Sequence, residues 1–275
     1  MKSFEQEYYE DESFWAGGMV QDEANRVRIE RTAAMIPASV GSLVDVGCGN
    51  GVFVNYLTNA KPQLEITGVD RSVTALTYVN TKKREASIDE LPFADKEFDC
   101  VTCLEVIEHL PETIYQKSLD ELARVSKQVV IISVPNNEKL EDSYTKCPNC
   151  LSIFNYELHL RKFDKQKLQQ LMSARGFDCK EIITTGTGKA YYGHKAFRKL
   201  FYPEQMLKWN SPICPICGYR EAGRAIQNEA SKPIANSSTP TQGKRKLISY
   251  FTAIPKFFWP KRSKDYWMIA RFERV

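Results

Sequence analysis

No apolar run in this 275-residue chain is long enough to cross a bilayer, so a membrane-spanning helix is excluded from the reading. Charge of one sign is also lacking. Against 34 Asp and Glu stand 38 Lys and Arg, and a net charge of +4 implies no nucleic-acid partner unless the basic residues cluster locally. Residues 1–12 are acidic and polar, without the basic and apolar stretches of a signal or transit peptide, so the expected location is cytoplasmic. There is no internal repeat, which excludes repeat architectures. Histidine is scarce, at three residues, and this leaves few candidates for proton transfer near neutral pH. Cysteine is plentiful. In a reducing compartment eight cysteines point to metal ligands or buried thiols rather than disulfides. The length allows one sizeable core with residues left over for insertions.

Aromatic residues Tyr8, Tyr9, Phe14 and Trp15 crowd the N-terminal segment, which is followed by a helical pattern from about Gln21 to Met35. Apolar strands are expected at Leu43–Val46, Glu65–Val69, Phe98–Leu104, Gln128–Val134, Phe177–Thr184 and Tyr266–Phe272, with a short one at Glu85–Ile88. Helices are expected at Val52–Asn59, Ser72–Val79, Thr113–Val125 and Lys165–Arg175. This alternation predicts an α/β fold with an open, mostly parallel sheet flanked by helices. Asn228–Gly243, rich in Ser, Thr, Pro and Asn, has the composition of a flexible loop.

The first strand runs into Asp45-Val46-Gly47-Cys48-Gly49-Asn50-Gly51 and then a helix. Glycines let the backbone turn sharply and approach a ligand, and a helix N-terminus suits a carboxylate. Asp70 ends the second strand, where its carboxylate can accept from two ribose hydroxyls. Dinucleotide folds space these glycines as G-x-G-x-x-G; here the third glycine comes one residue early and Val52 stands in its place.

With "GVDRS" around Asp70 and "LPFADKEFDCVTCLEVIEHL" from Leu91 to Leu110, the chain resembles the class I S-adenosylmethionine-dependent methyltransferases, of the type 11 kind. "HLRKF" at His159 extends the likeness. The resemblance implies a Rossmann-like sheet of seven strands whose last strand is antiparallel. It implies that Asp45 and the loop Gly47, Cys48, Gly49, Asn50 and Gly51 hold the methionine end of the cofactor. Asp70 would bind the ribose, Arg71 and Ile88 would border the adenine, and Glu105 would line the methionine side. Ser87 stands where family members often carry an acid, which shifts the adenine contact to Asp89 or a backbone carbonyl.

Methyl transfer from a sulfonium is an in-line displacement that needs alignment and exclusion of water. A hydroxyl acceptor must also lose its proton. His109, just past the fourth strand, is a candidate base; the alternative is a histidine that caps the next helix or only packs. His159 is a second candidate, which a structural role would also explain, and His194 in the later insertion could face the acceptor.

Cys147-Pro-Asn-Cys150 and Cys214-Pro-Ile-Cys217-Gly218 are two C-P-x-C knuckles whose spacing suits one tetrahedral zinc. They follow the fifth and sixth strands, which end on one edge of a parallel sheet, so a shared structural zinc would tie two insertions into a lid over the acceptor pocket. The alternative is four free or redox-active thiols. Cys100 and Cys103 share a strand and point to opposite faces, as core. Gly186-Thr187-Gly188-Lys189 lacks the first glycine and final Ser/Thr of a phosphate loop and reads as a turn. Residues 244–262 combine basic and aromatic side chains in a partly helical stripe. They suit a helix packed on the domain, a peripheral contact with anionic lipid, or nucleic acid.

The expected organisation is an N-terminal helical cap at 1–40 and a catalytic domain at 41–275 with insertions at 138–158 and 188–262. The expected cofactors are S-adenosylmethionine and zinc. The expected acceptor is a small molecule or a lipid- or glycan-linked group methylated at oxygen. RNA or another macromolecule is the alternative acceptor, and a non-catalytic cofactor-binding partner protein is the alternative of another class.

Overall fold

The computed structural model describes residues 4–16, 23–191, 209, 211, 213–220 and 261–275. His194, the Asn228–Gly243 loop and residues 244–260 of the basic segment lie outside the described residues.

Seven strands form one sheet: β1 (Ser42–Val46), β2 (Glu65–Asp70), β3 (Lys82–Glu85), β4 (Phe98–Leu104), β5 (Ser126–Pro135), β8 (Phe177–Tyr191) and β9 (Lys261–Arg274). Their order is β3-β2-β1-β4-β5-β9-β8, with β9 antiparallel to both neighbours and the others parallel. The expected sheet, including its antiparallel last strand, is therefore present. Two further strands, β6 (Tyr144–Lys146) and β7 (Ile153–Asn155), make a separate antiparallel hairpin.

Burial on both faces explains why the central strands read as unbroken apolar runs. Helices α3 (Glu23–Ala34), α4 (Val52–Ala60) and α5 (Val73–Leu76) cover one face through Ile29, Ala33, Phe53, Leu57 and Leu76. Helices α6 (Glu112–Val125) and α7 (Lys165–Gln170) cover the other through Leu119, Leu122 and Leu168. Cys100 joins the first core and Cys103 the second, on opposite faces as their spacing requires. Two short helices, α1 (Phe4–Tyr9) and α2 (Glu12–Ala16), precede α3.

Four local expectations change. The third strand lies at Lys82–Glu85, not at Glu85–Ile88. It is a fully exposed edge strand of four charged residues, which carries no apolar alternation to read, and Ile88 turns into the core beyond it. The helix after Ser72 ends at Leu76, and its N-cap is the Ser72 hydroxyl accepting from the Ala75 amide. The helix beginning at Lys165 closes at Gln170 and continues as a 3-10 turn, Ser173–Arg175, ended by left-handed Gly176.

The Gly186–Lys189 segment is not a turn. It lies inside β8, which pairs with β9 from Phe177 to Tyr191 and outruns β5. Among the described residues β8 reaches Tyr191 and β9 starts at Lys261, so residues 188–191 and 261–262 of the expected insertion belong to strands. Trp267 lies across Gly186, which has a φ of 74°, so that a Cβ there would stand 2.2 Å from the indole ring. Gly186→Ala should therefore cost about 1–3 kcal/mol in denaturant unfolding, from overpacking and left-handed strain combined. An unchanged midpoint would contradict this packing.

Candidate functional site

Strands β1, β2, β4, β5 and β8 run in one direction, so the loops that follow them leave the sheet on one edge. The glycine loop turns directly out of β1. Gly47 and Gly49 take φ values of 77° and 52°, which side-chain-bearing residues rarely adopt. A Cβ would stand 2.4 Å from Val106 at Gly47 and 2.8 Å from the Trp15 ring at Gly49. Conformation and space both demand glycine here. The Gly47 and Cys48 amides donate to the Val69 carbonyl at 2.8 and 2.9 Å, folding the loop back over β2. Cys48 is buried against Gly68, and Gly51 starts α4.

Asp70 is the partner of this loop. One carboxylate oxygen accepts from the Gly49 amide at 2.8 Å and the other from the Ser72 amide at 2.8 Å. Burial raises its pKa, and the two amides oppose that shift. Asp45 lies behind the loop, 2% exposed, where one oxygen accepts from the Thr102 hydroxyl at 2.6 Å. Burial pushes its carboxyl up to about 7 despite that bond.

The N-terminal aromatic segment covers this site. The Trp15 carbonyl accepts from Asn50, the Tyr9 carbonyl accepts from the Ser72 hydroxyl at 2.7 Å, and Arg71 stands over the Tyr9 ring. Beyond β3, Ser87 donates to Asp89 while Ile88 packs inward. The structure thus brings Asp45, Gly47 to Gly51, Asp70 and Arg71 together. Ser87 and Asp89 follow β3, whose last residue Glu85 pairs with Asp70, and Asp89 also lies 3.7 Å from Lys117 of α6.

A second polar cluster follows β4. Glu105 has a φ of 58° and accepts from the Ser133 hydroxyl at 2.6 Å. Glu108 is fully buried, and among the described residues neither of its carboxylate oxygens has a hydrogen-bond partner beyond a contribution from its own amide. Burial and then the Glu105 charge push Glu108 well above the usual carboxylate range. The His109 and His159 rings meet edge to face at 4.7 Å. His159 Nδ1 is 2.6 Å from Glu138, and Glu157 lies on the same side. Burial pulls His159 down, but these carboxylates outweigh it and raise the group. His109 is held at about 3, by burial first and by His159 second. It does not cap α6, whose N-cap is Pro111.

The "HLRKF" segment holds these rings together. The Leu160 amide donates to the Glu108 carbonyl at 2.8 Å, and Arg161 donates to the Ile107 and Leu110 carbonyls while its guanidinium lies 3.8 Å from the Tyr115 ring centre. Leu158, just before His159, is also left-handed at 62°. Sequence reasoning missed Arg161 as a staple, since an arginine among Lys and Arg residues carries no local signal of buried carbonyl partners.

The four knuckle cysteines converge although about 64 residues separate the pairs. Cys147 Sγ is 3.7 Å from Cys217 Sγ, and Cys150 Sγ is 3.7 Å from Cys214 Sγ. Four thiolates around one zinc at about 2.3 Å would stand about 3.8 Å apart, so the cluster fits a tetrahedral ion. The knuckles repeat one geometry. Leu151 and Gly218 are both left-handed and donate to the Cys147 and Cys214 carbonyls, while the Cys147 and Cys214 amides donate to Ser152 and Tyr219. The first knuckle is the turn of the β6–β7 hairpin. Trp209 bridges them, its ring 6.1 Å from Phe154 and 5.3 Å from Tyr219. Arg220 pairs with Asp11 at 3.2 Å, linking the second knuckle to the segment that covers the glycine loop.

A family profile described as "Methyltransferase domain" matches residues 21–182, more than half of the chain. The chain belongs to this methyltransferase-domain family. The seven-stranded sheet with its antiparallel β9 is the Rossmann-like sheet of class I S-adenosylmethionine-dependent methyltransferases. The chain is 33% identical over 99 residues to a ubiquinone biosynthesis O-methyltransferase of Alkalilimnicola ehrlichii, which is 32% of this chain and 39% of that protein. It is 38% identical over 90 residues to a tRNA U34 carboxymethyltransferase of Campylobacter curvus, 30% of this chain and 29% of that one. It thus spans less than half of either relative. Among solved structures, the cyclase SpnF has a TM-score of 0.51 at 12% identity, covering 94% of this chain and 85% of that one. That likeness shows the fold alone. Among the described residues no helix is long and apolar enough to cross a membrane.

Arg161→Met should lower stability by about 1–3 kcal/mol, because it strands buried carbonyls at the β4 loop. Glu112→Ala removes only the 80%-exposed partner of Arg161 and should change stability by less than about 1 kcal/mol. Equal effects in denaturant unfolding would contradict the staple.

Proposed function

We propose that this chain is an S-adenosylmethionine-dependent methyltransferase acting at an oxygen of a small-molecule or lipid- or glycan-linked acceptor. The observation that carries the donor reading is the tie between the glycine loop and Asp70, at the carboxyl ends of β1 and β2 in a methyltransferase-domain sheet. Such an edge is where open α/β sheets bind ligands.

The residues present fit the donor. Gly47 to Gly51 form a tight backbone loop at the first turn of α4, with no room for a Cβ at Gly47, Gly49 or Gly51. Asp70 keeps lone pairs beyond those used by Gly49 and Ser72, and these can accept from the ribose hydroxyls. Asp45, with Thr102, stiffens the loop from behind. Arg71, Ser87, Ile88 and Asp89 stand on the adenine side, and Glu105 on the methionine side. When bound, the cofactor supplies a methyl group already activated by its sulfonium. The chain's task is then to align the acceptor oxygen and keep water out, with Trp15 and the N-terminal segment as the cover.

The acceptor reading rests on the cluster after β4 and on the O-methyltransferase relative. His109 and His159 face this region from β4 and the "HLRKF" segment. The cysteine cluster would hold one structural zinc that staples the two insertions above it, with residues 1–40 as the cap and 244–262 as a contact to anionic lipid. The tRNA-modifying relative favours RNA as the second acceptor class.

Calorimetry with S-adenosylmethionine should show binding that Asp70→Ala weakens at least tenfold, and unchanged affinity would overturn the donor site. Transfer from labelled cofactor into fractionated extract should place label in small molecules or lipid. Label in RNA would move the acceptor to the second class, and binding without any transfer would favour a non-catalytic partner protein. Elemental analysis of protein purified without added zinc should give about one zinc per chain, lost in Cys147→Ser with Cys214→Ser; protein free of zinc would sink the staple.

A further inference from the structure

The cluster after β4 is built unlike the rest of the core. A carboxylate oxygen of Glu108 and one ring nitrogen each of His109 and His159 lie within 4.8 Å of one another. Ligands facing each other across one ion stand about 4 Å apart. Burying a carboxyl group without a partner from another residue is unfavourable, and Glu108 is 0% exposed with neither oxygen hydrogen-bonded to another of the described residues. His109 Nδ1 is likewise buried without a hydrogen-bond partner among the described residues, while the Leu158 backbone engages the ring. One cation at the centre would answer both groups.

The surroundings have the form of an outer shell. His159 Nδ1 is held by Glu138 at 2.6 Å, which fixes the ring and leaves Nε2 as the ligand atom. Leu160 and Arg161 lock the ligand loops to each other through main-chain carbonyls. Two left-handed non-glycine residues, Glu105 and Leu158, flank the ligands, and such strain persists only where its surroundings enforce it. A rival set, Glu138, Glu157 and His159, is weaker: Glu138 is already paired with His159, and Glu157 is 38% exposed.

We propose that Glu108, His109 and His159 bind one divalent first-row transition-metal ion, separate from the four-cysteine cluster. Two imidazoles and one carboxylate leave coordination positions open, and their ligand class is an oxygen donor such as a hydroxyl or water.

The test uses the full chain stripped of metal and titrated with Mn2+, with the free ion read by electron paramagnetic resonance. Mn2+ avoids thiolates, so the cysteine cluster stays silent. The expected result is one saturable site per chain. Glu108→Gln, close in shape but uncharged, should weaken it at least tenfold, and His109→Gln gives a second reading should that variant not fold. Mn2+ should raise the melting temperature of the wild type and not that of Glu108→Gln. Glu157→Gln should bind within about twofold of the wild type. No saturable binding, binding by Glu108→Gln within about twofold, or loss confined to Glu157→Gln would each overturn the proposal. No readout requires methyl transfer, so failure here is distinguishable from failure of the donor site.

Discussion

Asp70 receives the Gly49 amide on one carboxylate oxygen and the Ser72 amide on the other. Those two bonds fix where β1 ends relative to β2, and much else follows from them. With Gly49 held, the loop lies flat enough for the Trp15 ring to cover it, and Asn50 reaches the Trp15 carbonyl. With Ser72 held, its hydroxyl caps α5 and reaches the Tyr9 carbonyl. One buried carboxylate therefore sets the loop, the next helix and the N-terminal cover together. Its burial is unfavourable for the charge, and the amides offset that penalty.

What the residues disclosed in advance followed physical scale. Strands buried on both faces show as apolar runs, so β1, β2, β4 and β5 were legible. Edge strand β3 has four exposed charged residues and no such signature. The glycine loop was legible because its constraints are local and act on backbone angles. The Gly186 segment misled for the same reason: glycines read as a turn, whereas here they make room for Trp267 and Tyr266 in a β-ribbon. The Arg161 staple depends on contacts about 50 residues apart, which a linear pattern does not carry.

The cysteines mark an intermediate case. Each C-P-x-C pair is local and readable, but the meeting of pairs is topological. It depends on β5 and β8 pointing the same way, which in turn requires antiparallel β9 between them. The Phe154–Trp209–Tyr219 contacts and the Arg220–Asp11 pair then join the knuckles to each other and to the N-terminal segment. A surface ion pair contributes little by itself, so the aromatic contacts and the four sulfurs carry that junction.

The two polar clusters on this edge differ in a way that assigns them different work. Four sulfurs complete a tetrahedron, so an ion among them is saturated and serves to hold chain segments in place. Glu108, His109 and His159 supply three ligands, so an ion among them keeps positions for something that is not protein. The closed set lies in the insertions, where geometry must be imposed on segments that have little core of their own. The open set lies at the end of β4, where the core already fixes the backbone. β4 adjoins β1, and Val106 just past its end lies against Gly47 of the glycine loop. The groups of the open set thus come from the turn after β4 and from the segment that follows β7.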